Sequence, residues 1–428
     1  MGEKTALQKL NSWILDNIVT VIFVAFTVVG FLVSDGITFS FFITQLSERF
    51  FRNSFLILSL IIPVIAGLGM NFGIVVGAMA AQIAMFVVRY FEMGNISGLL
   101  IMVLIATTLS ILFGFLTGIL YNNTKGQEMI AGLILGYFAN GVYQFIMLVA
   151  IGAIIPVNPN HPLINPSGIG VRMTIDMVTL EQGGLKGVID NILQIPFIWA
   201  ALILTVCMLI FQVIRFIRNR NNPAKVHQST VMFGVSAAAN LFIIGICINA
   251  IVSNNSLMQI KKAPIVTGIL ILLLCITINF LLKTKLGQDF RSVGQSQHIA
   301  EISGINVNRT RIIAVVLSTV LASWGHIIYL QNMGTVSTYS AHTQIGLFSV
   351  AALLIGGATV SKASVKHAVF GCVIFHAMFI VSPEIGKAVF GNALLGEYFR
   401  TFLAYGVIGL SLGLYAWNTA KKSKQKIE

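Results

Sequence analysis

Apolar runs of about twenty residues alternate with short polar breaks along almost the whole chain. A helix rises 1.5 Å per residue, so about twenty apolar residues cross the roughly 30 Å core of a bilayer. By that measure the candidate spans are 13–34, 54–70, 73–91, 98–121, 129–153, 196–217, 229–253, 264–283, 311–331, 345–360, 366–383 and 399–418. Two pairs are irregular. Only "MNFG" separates 54–70 from 73–91, and the spans flanking "SKASVK" are short. Broken or half-crossing helices are expected at both places. The pattern therefore predicts an all-α integral membrane protein, a polytopic bundle of about 10–12 transmembrane helices forming a single domain over 1–428. The first run, Trp13 to Val33, is too long for the apolar core of a signal peptide, and no small-residue cleavage pattern follows it.

One connection is long, about 154–196. It opens with "IIPVNPNHPLINPSGIG", rich in turn formers. The following "MTIDMVTLEQGGLKGVIDNIL" is expected to include a short surface helix. Loops of this length are usually functional or disordered, and a docking surface for an external partner is the expected use.

Composition sharpens the picture. Hydrophobic residues make up 56% of the 428 and charged residues 10%, against about 25% charged in a typical soluble domain. The net charge of +13 does not imply nucleic acid, because no basic stripe is interleaved with aromatics. With the N-terminus inside and twelve crossings, basic residues favour inner segments about two to one, as helix orientation by positive charge requires. The densest clusters, "RFIRNRNNPAK" and "KKSKQK", both fall inside. Both termini and the segment 284–310 are then cytoplasmic, and 154–196 is external.

Candidate chemistry is sparse. Cys207, Cys247, Cys275 and Cys372 lie in apolar runs without metal-ligand spacing. His326 and His376 each lack a partner one helical turn away. There is no GxxxxGK phosphate loop and no nucleophile–base pairing, so no metal, cofactor or catalysis is expected of this chain. No charge is convincingly embedded in a span; Asp16 and Glu128 come nearest. That weakens, as an alternative, a secondary carrier driven by an ion gradient, which ordinarily keeps such groups in the bundle interior. Polar residues inside spans (Asn71, Gln82, Asn140, Asn240, Asn249 and His326) line a pathway or bond neighbouring helices. Glycines four apart, at Gly69, Gly73 and Gly77, at Gly114 and Gly118, and at Gly132 and Gly136, indicate close packing or, for the first set, a broken helix.

Between two very apolar stretches lies "LGQDFRSVGQSQHIAEISGINVNRTR", Leu286 to Arg311. Gln295–Ser303 has the pattern of about two helical turns, with Ile299 and Ile302 on one face and Gln297 and Glu301 on another. Glycines at both ends, Gly294 and Gly304, allow the chain to turn. So short a helix is not stable alone. Either it docks against a partner or it is an ordinary connection.

This stretch resembles the cytoplasmic coupling loop of permeases in ATP-binding-cassette importers of the simple-sugar, nucleoside and branched-chain amino-acid group. "FRSVGQSQHIAEISGINV" matches the pattern through Arg291, Val293, Gly294, Ala300, Gly304, Ile305, Asn306 and Val307. "LSTVLASWGH" follows, with Ser318 and Ala322 matching. "SVAALLIGGATVSKASVKHAVFG" resembles a later segment through Ala351, Ala352, Gly356, Gly357 and Gly371. "GLGMNFGIVVGAMAAQ" resembles an early one through Gly69, Met70, Ile74 and Gly77. "GQEMIAGLILGYFANGV" is similar to a nucleoside-type segment through Glu128, Ile130, Leu135 and Tyr137. Thr319, Ser323 and His326 stand where the family carries helix glycines.

The resemblance implies a type II ABC importer-like fold in the cytoplasmic (inner) membrane. It implies a second permease chain, the same or a sister; two separate ABC ATPase subunits; and an extracytoplasmic solute-binding protein. The cargo would be a small polar solute, simple sugars first and nucleosides next. Arg291, Gln297 and Glu301 would carry the polar contacts of the coupling helix, and Ile299, Ile302 and Ile305 the apolar ones, within the frame set by Gly294 and Gly304.

Overall fold

The computed structural model describes residues 18–34, 36–178, 184–220 and 230–424. It is a helical bundle with two two-residue-to-three-residue strand pairs at one end. In chain order the helices are α1 (Ile18–Val33), α2 (Phe39–Ser59), α3 (Ile61–Ile65), α4 (Ile74–Tyr90), α5 (Asn95–Asn123), α6 (Glu128–Phe145), α7 (Phe197–Arg220), α8 (Thr230–Ser253), α9 (Ile265–Leu281), α10 (Lys285–Gln295), α11 (Gln297–Ile302), α12 (Val307–Asn332), α13 (Ile345–Ile355), α14 (Val365–Phe390) and α15 (Ala393–Lys424). A π-turn at Ile146–Ala150 extends α6. The strands are β1 (Thr174–Asp176), β2 (Gln194–Ile195), β3 (Ala263–Pro264) and β4 (Thr335–Ser337).

Among the described residues six helices are long and apolar enough to cross a bilayer, or seven if the pair α9 and α10, bent by 72°, counts as one span. Each of the twelve expected spans nonetheless overlaps a helix in its described part, residues 13–17 of the first lying outside the described residues. The shortfall has local causes. α4 and α13 are only 17 and 11 residues long, and α2 carries Glu48, Arg49 and Arg52. The pattern started that span at residue 54, where the burial begins. The helix starts fifteen residues earlier, capped by the Thr38 hydroxyl, which accepts from the Phe41 N–H at 3.3 Å.

α12 is the central element, packed against α2, α3, α4, α5 and α10. Its buried face is made of small residues, Ala314, Ser318, Thr319, Ala322 and Gly325 among them. Small side chains let membrane helices approach closely. A Cβ on Gly114 of α5 would sit 2.9 Å from the Val316 backbone, so the Gly114–Gly118 spacing is a packing seam. α7 and α8 form a peripheral pair whose outer faces are apolar and exposed, as suits helices bathed in lipid.

The two ends of the bundle differ. The near end carries α10 and α11. The far end carries the connection from residue 154 to 196, whose β1 pairs antiparallel with β4 (Ile175 opposite Val336) and whose β2 pairs with β3. The expected surface helix is not seen in the described part of 173–193. Thr174–Asp176 enters a sheet, and 186–192 forms turns. Ile175 at the strand centre is fully buried, so period-two burial outcompetes the helical pattern there.

The chain is broken twice near mid-depth. Residues 66–73 leave the helical path after α3, with Gly67 and Gly69 at positive φ, and α4 then runs to the far end. Residues 333–344 return from the far end through β4, and α13 then runs to the near end. Gly69, Gly73 and Gly77 therefore do not share one helix face. Gly69 lies in the break, Gly73 caps α4 and Gly77 packs on Thr319 of α12.

Candidate functional site

The first turns of the two short helices meet. A Cβ on Gly346 of α13 would touch Val75 of α4 at 2.8 Å and the Phe72 carbonyl at 3.2 Å. Neither helix has a side-chain cap, so both start with backbone N–H groups aimed at one region. Aligned peptide dipoles make such ends partly positive. Beside them opens a cleft of about 250 Å³ lined by Phe72 and Val75, by Gly132, Gly136, Tyr137 and Asn140 of α6, by Thr343, Gln344 and Gly346, and by Tyr405 of α15.

A buried polar network frames this cleft. Gln82 of α4 donates through Nε2 to the Ser337 and Thr338 carbonyls at 3.1 and 3.4 Å. That fixes its Oε1 toward His342, which donates from Nδ1. The ring's Nε2 lies 2.8 Å from the Asn140 Oδ1, which also accepts from the Gln144 amide at 3.4 Å. Tyr143 donates to the Thr338 carbonyl at 2.9 Å and its ring meets His342 edge-on at 4.7 Å. One histidine thus ties α4, α6 and the 333–344 segment together.

The other polar residues named from the sequence lie elsewhere. Asn71 is buried in the first break. Its Oδ1 accepts from the Gly73 N–H at 3.0 Å and from Tyr121 at 2.7 Å, and its Nδ2 donates to Ser318 at 3.3 Å. It holds the break in shape. Asn240 donates to Gln212 at 3.0 Å between α8 and α7. The Asn249 Oδ1 accepts from its helix neighbour Ser253 at 3.4 Å. His326 is fully buried in α12, stacked on Tyr329 at 5.3 Å, with neither ring nitrogen bonded among the described residues.

At the near end, α10 is amphipathic and buries Phe290 and Val293. Gly294 does not turn the chain. It allows α10 to touch the first break: a Cβ there would lie 2.1 Å from the Ile65 carbonyl, and one on Gly67 would lie 2.7 Å from the Gly294 Cα. α11 is shorter than its pattern and is capped at both ends. Ser296 accepts from the Ile299 N–H at 3.3 Å. At the other end Gly304 (φ +79°) donates to Glu301, and Ile305 to Ala300, a Schellman closure. Ala300 packs with Val293, Val307 and Ile305. Ile299 and Ile302 point away, 65% and 74% exposed, with Arg291 and Glu301 exposed and Gln297 half-buried beside them.

An ion pair beneath this region was not legible as such in the sequence. Arg311 of α12 is fully buried and pairs with Glu128, the first residue of α6, while donating to the Tyr121 carbonyl at 3.0 Å. The sequence showed Glu128 near a span end, but its partner is 183 residues away. Asp16, the other acidic residue near a span, lies outside the described residues.

Residues 177–412 match the family described as branched-chain amino acid transport system / permease component. The chain is 34% identical over 143 residues to the xylose transport system permease protein XylH of Haemophilus influenzae, covering 33% of this chain and 35% of that protein. Against the nucleoside ABC transporter permease protein NupC of Lactococcus lactis subsp. cremoris it is 33% identical over 105 residues, covering 24% and 32%. Against NupB of the same organism it is 31% identical over 93 residues, covering 21% and 26%. The chain thus spans about a third or less of the curated relatives it matches. No solved structure matches it significantly. With more than half of its length inside the family pattern, and with apolar helices running through that portion, the chain belongs to the branched-chain amino acid transport system permease family of multi-pass membrane proteins.

Proposed function

We propose that this chain is the transmembrane permease subunit of an ATP-binding-cassette importer for a small, neutral, polar solute, a simple sugar first and a nucleoside next. The near end is cytoplasmic and the far end external. Separate ATPase subunits dock on α11, a second permease chain completes the pathway, and a solute-binding protein delivers cargo to the far end. The membrane is the cytoplasmic one, with both termini inside.

The observation that carries this reading is the mounting of α11. Among the described residues nothing buries its two exposed isoleucines, while its other side is capped and packed. Its neighbour α10 bears directly on the break that launches α4. A push on α11 is therefore felt at Gly67, and through α4 at Gln82 and the polar network. The cleft suits a neutral solute. Two helix N-termini, an asparagine and hydroxyl and amide groups offer hydrogen bonds, and no carboxylate lines it. A solute rich in hydroxyl or carbonyl oxygens is what partly positive helix ends and amide donors hold best. The xylose and nucleoside names of the relatives agree with that class.

The test is co-purification from native membranes in mild detergent, with Ile299→Ser/Ile302→Ser beside the native chain. A nucleotide-binding subunit that accompanies the native chain and is lost from the variant supports the proposal. A stably folded native chain that carries no ATPase, and catalyses ion-driven flux in liposomes, overturns it.

A further inference from the structure

Three half-buried guanidinium groups gather at the far end of the bundle with few carboxylates around them. Arg49 and Arg52 sit on α2, ten and thirteen residues from its start, roughly 15–20 Å along the helix. Arg400 sits on α15. The charges of Arg52 and Arg400 both act on Arg49. Arg52 lies over the Tyr329 ring at 5.4 Å and reaches the Met333 sulfur at 3.2 Å. Arg400 lies over the Phe379 ring at 4.5 Å, and that ring in turn contacts His376 at 6.1 Å.

Among the described residues no carboxylate is within ion-pair range of Arg49 or Arg52. Glu48 pairs with Lys261 instead, and Glu397 stands 3.6 Å from Arg400. The Nε–H of each of the three arginines is buried without an acceptor, as is Nδ1 of His376, which is only 7% exposed. A buried donor without a partner calls for an occupant that accepts. Guanidinium groups suit phosphate and carboxylate oxygens above all others.

Beside the cluster lies a cavity of about 360 Å³. Asn53, Tyr329, Met333 and His376 connect it to the arginines, and Ser337, Ser340, Thr343 and Ser349 supply hydroxyl groups on its wall. It is distinct from the α6 cleft, from which Thr343 and Gln344 divide it.

We propose that Arg49, Arg52 and Arg400 bind a phosphate group carried on a small polyol, with the polyol in the hydroxyl-lined cavity. Two sources share that chemistry, the headgroup of an anionic glycerophospholipid and a free phosphorylated polyol. The site holds whether or not an ATPase drives the chain.

The experiment uses the full chain in nanodiscs. In phosphatidylcholine discs, glycerol 3-phosphate is titrated while thermal unfolding is followed. In a parallel arm the lipid is phosphatidylglycerol, and native mass spectrometry reads the retained lipid. A saturable rise in Tm with glycerol 3-phosphate identifies a free ligand. A rise in phosphatidylglycerol discs with one lipid retained per chain identifies a headgroup. In either case Arg49→Gln/Arg52→Gln weakens the effect about tenfold or more, and Lys186→Gln at the far end leaves it intact. If the double variant does not fold, Arg400→Gln, on a partly exposed guanidinium, takes its place. The proposal is overturned if neither probe shifts the native chain, or if the arginine variants respond as the native chain does.

Discussion

At the residue scale, His342 is the side chain on which the candidate pathway depends. It stands between Gln82 and Asn140 and uses both ring nitrogens. His342→Ala takes its partner from the Oε1 of the buried Gln82, at about 1–3 kcal/mol, and one of two side-chain partners from the half-buried Asn140. The expected result is solute uptake reduced at least about tenfold, with the protein still present in the membrane; uptake in vesicles at matched protein level measures it. Unchanged uptake would remove the network from the pathway. Gln82 and Asn140 were legible in the sequence, since each is polar within an apolar run. His342 was not, because it lies in "SAHTQ", which reads as an ordinary polar connection and gains meaning only when the 333–344 segment folds back into the bundle. Arg49 and Arg52 were hidden for the opposite reason. Their charge moved the expected start of the second span past them, and the partners that let α2 carry them, Tyr329 and Met333, come from a helix end some 280 residues later.

At the scale of the element, α11 and the Arg311–Glu128 pair make contrasting predictions. Ile299 and Ile302 are exposed, so replacing both by Ser is expected to leave Tm within a degree or two while abolishing ATPase docking and ATP-driven uptake. Arg311 is fully buried beneath the same region. Arg311→Met strands the Glu128 carboxylate, and losing one member of a buried pair costs about 3–5 kcal/mol. A large fall in Tm is expected, and Glu128→Gln/Arg311→Met should recover most of it, because the double change removes the uncompensated charge. Thermal unfolding of the three variants in one detergent decides the matter; a double variant no better than the single would show that the pair is not coupled. The short helix α11 itself was readable, because its polar residues interrupt two apolar runs and its isoleucines fall three apart. Its length was overestimated by three residues, since α10 absorbs Gln295, and Ser296 and Ser303 become the caps. The surface helix expected within 173–193 failed on a different ground: β4, distant in sequence, supplies Ile175 with a strand partner.

At the scale of the whole molecule, the two breaks give the bundle its directionality. α4 occupies the far half and α13 the near half, and their first turns meet beside the cleft. The irregular "MNFG" junction and the shortness of the span before "SKASVK" showed where helices would be interrupted. That the interruptions meet is a property of packing that no local pattern carries. On the proposed reading, a path through the cleft must be closed at one side when it is open at the other, or the solute would leak. Single cysteines on a background with the four native ones replaced test this. Ser340→Cys is expected to react with a membrane-impermeant thiol reagent added outside, and Glu301→Cys only in inverted vesicles. Gly136→Cys, where the structure leaves open space, is the informative position. It should react from the outside in one nucleotide state of the assembled transporter and from the inside in another, with the rates moving in opposite directions. If Gly136→Cys reacts from both sides at once in every state, the cleft is an open pore. If it reacts only from within the lipid phase, the face of α6 lies against the bilayer, and the pathway must be sought on the other side of Thr343 and Gln344.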